Sequence, residues 1–326
     1  MSAPAQEKTP ESASRGFLPI SCDTLAPTPA LNFDLYIRPD DDGEPILYRE
    51  RKYPLEEKDI GRLLQQGLHT LYIRSGAHEE YRSYLLDTVI HNERLEPVRR
   101  YQILKKVARS AFNSAFRSVN PDHLVEFAED IGKRMTEVIC SKEMVLADLF
   151  SLMEHDYYTY THVTNVCTCC VALASELGVD RETELVAIAS GALLHDIGKR
   201  HIPPSILNKP GGLSPDERKL VQEHSRTGFE ELCLREDLTW GQLMMVYQHH
   251  ERLDGRGYPA GLQGDAVHPW ARICAIADVF DALSTDRPYR KGDSIAEVLV
   301  RLEQQAGTSF DTEMVRCFKT MIHSKN

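Results

Sequence analysis

Two rhythms of apolar residues divide the chain. Toward the N-terminus the rhythm is short. Leu31-Asn32-Phe33-Asp34-Leu35-Tyr36-Ile37 alternates apolar and polar positions, the period of a strand with one covered face. Pro45-Ile46-Leu47-Tyr48 reads as a second strand, and the Asp40-Asp41-Asp42-Gly43 turn signal between them predicts a hairpin. Leu71-Tyr72-Ile73 is a third short strand, while Glu56 to Gln66 carries Ile60, Leu63 and Leu64 at helical spacing. These segments predict a small α+β module over residues 17–96. It follows a polar tail, residues 1–16, whose Pro, Ser and Ala content predicts disorder.

From about residue 97 the strand signals fade and a helical period takes over. Arg99 to Arg117 predicts a basic amphipathic helix. Asn120-Pro121-Asp122 opens another, with a cap residue and a proline in the first turn. Residues 97–139 are expected as a helical linker and 140–326 as an all-helical domain. Breaks fall at Gly178, Pro203-Pro204, Lys209-Pro210-Gly211-Gly212 and Asp254 to Gly264. The predicted fold class is mostly α, preceded by the small α+β module, with no internal repeat.

Composition narrows the function. At roughly 100–200 residues per domain, 326 residues suggest about two domains. A chain that is 42% hydrophobic and 27% charged is neither wholly disordered nor fibrous. No apolar run approaches the roughly 18 residues of a membrane span. The N-terminus lacks an apolar signal stretch, so a cytoplasmic location is expected. The formal charge of −11, with 49 acidic against 38 basic residues, disfavours broad contact with DNA. A small anion is still compatible where a metal or arginine cluster inverts the local field. The cluster Cys167-Thr168-Cys169-Cys170 lies in a helical pattern and reads as small core residues rather than a zinc or redox site.

Histidine carries the chemistry. Of thirteen histidines, eight lie between His155 and His268. His195-Asp196 ends the apolar run Ala187 to Leu194, and Lys199 can share that helix face. His162 enters one helix, His224 lies in another, His249-His250 close a third apolar run, and Asp278 sits inside Ile273 to Val279. Any one of these alone reads as a satisfied core residue. Several helices each bringing a His or Asp onto a mostly apolar face read differently, because shared metal ions would satisfy all of them together. Imidazole and carboxylate without thiolate suit iron, manganese or zinc. Seven ligands suit two metals, which can hold a bridging hydroxide and clamp a phosphodiester. His249 to Pro259 adds a loop of two glycines and a proline with Tyr258, an aromatic that could stack on a base. Asp286-Arg287-Pro288-Tyr289-Arg290 adds two arginines suited to phosphate.

In this order the residues resemble the HD-GYP family of bacterial cyclic di-GMP phosphodiesterases, a branch of the HD hydrolase superfamily. The matching stretches are His195-Asp196-Ile197-Gly198-Lys199, Lys209-Pro210-Gly211, His249-His250-Glu251-Arg252, Asp254-Gly255 with Gly257-Tyr258-Pro259, and Ala275 to Val279. Asp286 to Arg290, Ala306-Gly307-Thr308 and Phe310-Asp311 also match, so the resemblance runs over about 140–323. It implies an HD-type helical hydrolase domain. His162, His195, Asp196 and Asp278 would hold a first metal, and Asp196 would bridge to a second held by His224, His249 and His250. Lys199 would contact the scissile phosphate and assist the leaving oxygen. Arg287 and Arg290 would bind substrate phosphate, and Gly257-Tyr258-Pro259 would shape the pocket. The implied reaction is hydrolysis of cyclic di-GMP to pGpG and then GMP. The implied cofactors are two divalent metals, iron or manganese first, with zinc, magnesium or nickel behind them. Docking of GGDEF-type cyclases through the Gly-Tyr-Pro loop is a family-implied partnership, and a homodimer is left open.

The chain departs from the family pattern at Arg200-His201, at Pro204 and at Arg256, none of them an expected ligand. Tyr158 stands where some members have a glutamate that binds a third metal, so two metals are expected. Two other readings stay open at this level. One is a cyclic di-GMP receptor of weak turnover that docks a cyclase, and the other is a phosphodiesterase for another cyclic dinucleotide.

Overall fold

The computed structural model describes residues 16–38, 44–85, 95–116, 122–141, 159–207, 209–286 and 291–323. The tail over residues 1–15 and the turn over 39–43 therefore lie outside the described residues. The chain divides into two units, Met1–Glu96 and Pro97–Asn326.

The first unit is an antiparallel sheet with short helices. Its elements are β1 (Phe17–Ser21), β2 (Leu35–Ile37), β3 (Ile46–Arg49), α1 (Glu57–Gln65), β4 (Thr70–Arg74) and α2 (His78–Tyr84), and the strand order is β1-β4-β2-β3. The expected hairpin is β2 with β3, Tyr36 facing Leu47 and Ile37 facing Ile46. Two differences from the sequence pattern have local causes. The strand expected from Leu31 starts at Leu35, because Leu31 spends its backbone groups on Lys52 and Tyr53 instead. Phe33 turns onto the rings of Tyr81 and Tyr84, each at 5.3 Å. The strand β1 had no alternation to announce it. Pro19 interrupts it, which an edge strand tolerates, and it pairs along β4 with Pro19 opposite Tyr72.

The second unit is helical. It comprises α3 (Pro97–Phe116), α4 (Asp122–Ile139), α5 (Thr159–Glu176), α6 (Glu182–Leu194), α7 (Pro204–Leu207), α8 (Pro215–Gln222), α9 (His224–Leu232), α10 (Trp240–Gln248), α11 (Pro269–Ser284), α12 (Ile295–Gln304) and α13 (Thr312–His323). Its axis is α6, buried from Ile188 to Leu194. A helix apolar on all sides must be wrapped by others, and small residues let them come close. A Cβ on Gly132 of α4 would stand 3.0 Å from the Ser190 nitrogen. One on Gly191 would stand 2.7 Å from the Met245 sulfur of α10. Residues 97–139, expected as a linker, are thus α3 and α4 packed into the helical unit. The amphipathic helix expected from Arg99 is α3, whose buried face, with Tyr101, Leu104 and Lys105, lies on α5. Cys167, Cys169, Cys170 and Cys274 are buried between α5 and α11 as core residues. Among the described residues no helix is long and apolar enough to cross a membrane.

Tyr84 closes the first unit. Its hydroxyl donates to the Ala26 carbonyl (2.6 Å) and accepts from the Ala26 N–H (2.7 Å), both buried. Burial raises the phenol to about 12, although the Ala26 bond opposes the rise. Tyr84→Phe leaves both Ala26 groups without that partner, so urea unfolding of the first unit should show a loss of about 1–3 kcal/mol. An unchanged midpoint would contradict this role.

Candidate metal centre

The central helix delivers the first two groups. α6 ends at Leu194, and the chain places His195 and Asp196 beyond its C-terminus, at 0% and 1% exposure. Gly198 follows, where a Cβ would lie 1.9 Å from the His224 carbonyl oxygen and 2.7 Å from the Gly228 nitrogen. Only glycine lets the His-Asp turn lie against the first turn of α9, and that contact brings His224 beside Asp196. His249 and His250 follow the last residue of α10, which a Thr239–Gln242 capping box starts. Gln242 also donates to Ser190 of α6 (2.6 Å). His162 comes from α5 and Asp278 from α11.

Asp196 stands in the middle. Its Oδ2 faces His162 Nε2 (3.6 Å) and His195 Nε2 (3.5 Å), while its Oδ1 faces His224 Nε2 (3.3 Å) and His249 Nε2 (3.9 Å). Asp278 Oδ1 lies 3.1 Å from His162 Nε2, and its Oδ2 lies 3.6 Å from His250 Nδ1. The structure therefore brings all seven expected ligands together, in two sets joined centrally by Asp196, with Asp278 also reaching from His162 to His250. Within each of the sets His162, His195, Asp196 and His224, His249, His250, the donor atoms lie within 4.8 Å of one another.

The tautomers decide what this arrangement fits. His195 Nδ1–H donates to the Ala192 carbonyl (2.7 Å), His224 Nδ1–H to that of Val221 (2.6 Å), and His249 Nδ1–H to those of Met245 (3.0 Å) and Val246 (3.1 Å). A carbonyl only accepts, so each neutral ring keeps its proton on Nδ1 and points an Nε2 lone pair inward. His224 Nε2 and His249 Nε2 then confront each other at 3.1 Å. Among the described residues, His195 Nε2 and Asp196 Oδ1 have no hydrogen-bond partner. Burial holds the imidazoles neutral, lowering His224 to about 4 and His250 to about 3, with His195 and His249 lowered too. Burial resists ionisation of Asp196, but Lys199 and the surrounding imidazoles hold it well below the usual carboxylate range. Lone pairs converging on buried lone pairs repel unless cations lie between them, and this donor set fits divalent metals.

His162 differs from the others. Burial would lower it, yet Asp278 on one nitrogen and Asp281 on the other raise it to about 10. Asp281, one turn beyond Asp278 on α11, was missed in the sequence. Its signal was that spacing of three on an apolar helix.

The loop after the histidine pair is built against it. Glu251, 3% exposed, accepts N–H bonds from Ala260 (2.7 Å), Gly261 (3.0 Å) and Leu262 (3.0 Å). A Cβ on Gly257 would stand 2.4 Å from the Arg252 nitrogen, so the loop folds back only with glycine there. Tyr258 then lays its ring 4.7 Å from that of His250. The late matched stretch supports this loop, because the Thr308 and Ser309 carbonyls accept from Asp254 (2.8 Å) and Leu253 (3.2 Å). Glu251 was quoted within a motif without a role, and its buried bonds supply one. Lys199 Nζ lies on Asp196 Oδ2 at 2.5 Å, with its side chain 25% exposed. The departures Arg200 and His201 both turn to Glu231, at 3.0 and 2.8 Å. Arg287, Arg290 and Tyr158 lie outside the described residues.

Two measurements follow. Metal-stripped chain should take up two equivalents of Mn²⁺ by calorimetry, and Asp196→Ala should lose most of that uptake while keeping its helical circular dichroism. Normal uptake by this variant would refute the shared carboxylate. In addition, His162 at about 10 is protonated at neutral pH and must release that proton to bind a metal. Uptake at pH 7 should release about one proton, and affinity should rise with pH. Buffers of differing ionisation enthalpy read this release, and none would contradict it.

The comparisons agree with this geometry. The HD domain family matches residues 144–314. A cyclic di-GMP phosphodiesterase of Pseudomonas aeruginosa is 35% identical over 225 residues, 68% of this chain and 54% of its own length. A 3'3'-cGAMP-specific phosphodiesterase of Vibrio cholerae is 42% identical over 176 residues, 53% of this chain and 38% of its own. A cyclic di-GMP phosphodiesterase response regulator of Xanthomonas campestris is 41% identical over 155 residues, 47% and 40%. The chain thus spans about half the length of these curated relatives, or less. Among solved structures, an HDG"Y"P protein of Bdellovibrio bacteriovorus shares the fold. Its TM-score is 0.66 at 23% identity, over 94% of this chain and 99% of that one. With the family model matching more than half of its residues, the chain belongs to the HD domain family.

Proposed function

We propose that the helical unit is a binuclear-metal phosphodiesterase that opens cyclic di-GMP to pGpG and cleaves that to GMP. The observation that supports this most is Asp196, which turns one oxygen to each of two imidazole sets. His162, His195, Asp196 and Asp278 would hold one metal. Asp196, His224, His249 and His250 would hold the other, with iron or manganese suited to these ligands. When bound, such ions stabilise charge at phosphorus and make water acidic enough to attack near neutral pH.

The chain's own residues do the rest. The Lys199 ammonium, on Asp196 and a quarter exposed, would contact the scissile phosphate and donate a proton to the leaving oxygen. Tyr258 offers an aromatic face beside His250 for a base, and Glu251 keeps its loop in place. Arg287 and Arg290 are assigned to substrate phosphate. A second reading, 3'3'-cGAMP as substrate, draws on the Vibrio cholerae relatives whose names specify it.

Chain loaded anaerobically with iron or manganese should convert cyclic di-GMP to pGpG or GMP on chromatography. Asp196→Ala should fall by more than about 100-fold. Faster turnover of 3'3'-cGAMP supplied alongside would select the second reading. Full activity in Asp196→Ala, or no turnover of either nucleotide with two metals bound, would overturn the proposal.

A further inference from the structure

Behind His162 a line of polar side chains crosses three helices. His162 Nδ1–H donates to Asp281 Oδ2 (2.7 Å). Asp281 Oδ1 accepts from Asn165 Nδ2 (2.7 Å) and from the Thr285 hydroxyl (3.3 Å). Asn165 Oδ1 accepts in turn from Lys105 Nζ (2.9 Å). Lys105 is 6% exposed, Asn165 0% and Asp281 1%. Lys105 belongs to α3, outside the HD domain match over 144–314.

The line has one direction. An ammonium only donates and a carboxylate only accepts. An amide between them must turn its oxygen to Lys105 and its NH₂ to Asp281. Reversed, it would set NH₂ against the ammonium and oxygen against the carboxylate. Lys105 and Asp281 therefore demand the same orientation of Asn165, and Lys105 anchors its oxygen end. Asn165 in turn occupies one oxygen of Asp281 and leaves the other facing His162. That oxygen keeps the His162 proton on Nδ1, which directs Nε2 toward Asp278 and Asp196. Tyr101 and Thr168 join hydroxyls at 2.6 Å one turn along the same seam between α3 and α5.

We propose that Lys105 is a positioning residue for the metal centre, acting through Asn165 and Asp281 on the aim of His162. The inference rests on the reading of His162 as a metal ligand. It assigns part of the site's construction to a helix that precedes the HD domain match.

The test uses the full-length, metal-stripped chain with Mn²⁺ as probe. Lys105→Met keeps the length of the side chain and removes its donor, while Lys105→Arg keeps a cationic donor. Lys105→Met should bind one of the two Mn²⁺ equivalents about 10-fold more weakly and leave the other unchanged, with Lys105→Arg close to wild type. The imidazole ¹⁵N resonance of His162 Nδ1 in the metal-free protein should shift in Lys105→Met and stay in place in Lys105→Arg. A lowered thermal midpoint with unchanged Mn²⁺ affinity and unchanged ¹⁵N spectra would show mere packing and overturn the proposal. Should Lys105→Met fail to fold, Lys105→Gln, a shorter neutral donor, is read against the same two outcomes. Absence of Mn²⁺ binding by the wild type would instead sink the metal-centre reading, and this inference with it.

Discussion

A carboxylate buried to 1% exposure among imidazoles that point lone pairs at it is the constraint on which the helical unit depends. Burying an ionised group costs several kcal/mol unless charge and hydrogen bonds compensate it. For Asp196 the compensation comes from Lys199 and from the charged His162, yet among the described residues one oxygen keeps no hydrogen-bond partner. Three of the rings have already committed their Nδ1 protons to main-chain carbonyls. They cannot serve as donors to Asp196 without becoming charged, which burial opposes. Cations between the rings and the carboxylate would relieve that opposition.

The helices answer to that requirement. α6 is a spindle of small and apolar residues, so α4 and α10 can close on it and leave its C-terminal end, with His195 and Asp196, in a dry cup. Gly198 and Gly228 bring α9 to the same place. Behind the ligands lies a further layer: carbonyls for three histidines, Asp281 for the fourth, Glu251 for the loop. An acidic chain can hold an anionic substrate at such a point because local charge, not the net −11, decides the field there.

The sequence made the candidate ligands legible because chemistry and period coincided in them. His162, His195, His224, His249 and Asp278 are polar residues on otherwise apolar helices, and that mismatch shows without a structure. The supporting groups were harder to read. Lys105 and Asn165 look like ordinary polar positions, and their meaning lies in contacts across α3, α5 and α11 that no spacing encodes. The same holds for α3 and α4. An amphipathic stripe shows that a face is covered but not by what, so a packed pair resembles a linker. In the first unit, Pro19 hid β1, since its pairing with β4 is a long-range choice of an edge strand.

The central claim is that one carboxylate is shared by two cations. Anomalous diffraction from crystals of the chain grown with Mn²⁺ tests it directly. The account predicts two manganese peaks, one beside each oxygen of Asp196, the first among His162, His195 and Asp278 and the second among His224, His249 and His250. A single peak, or two peaks neither of which touches Asp196, would contradict it.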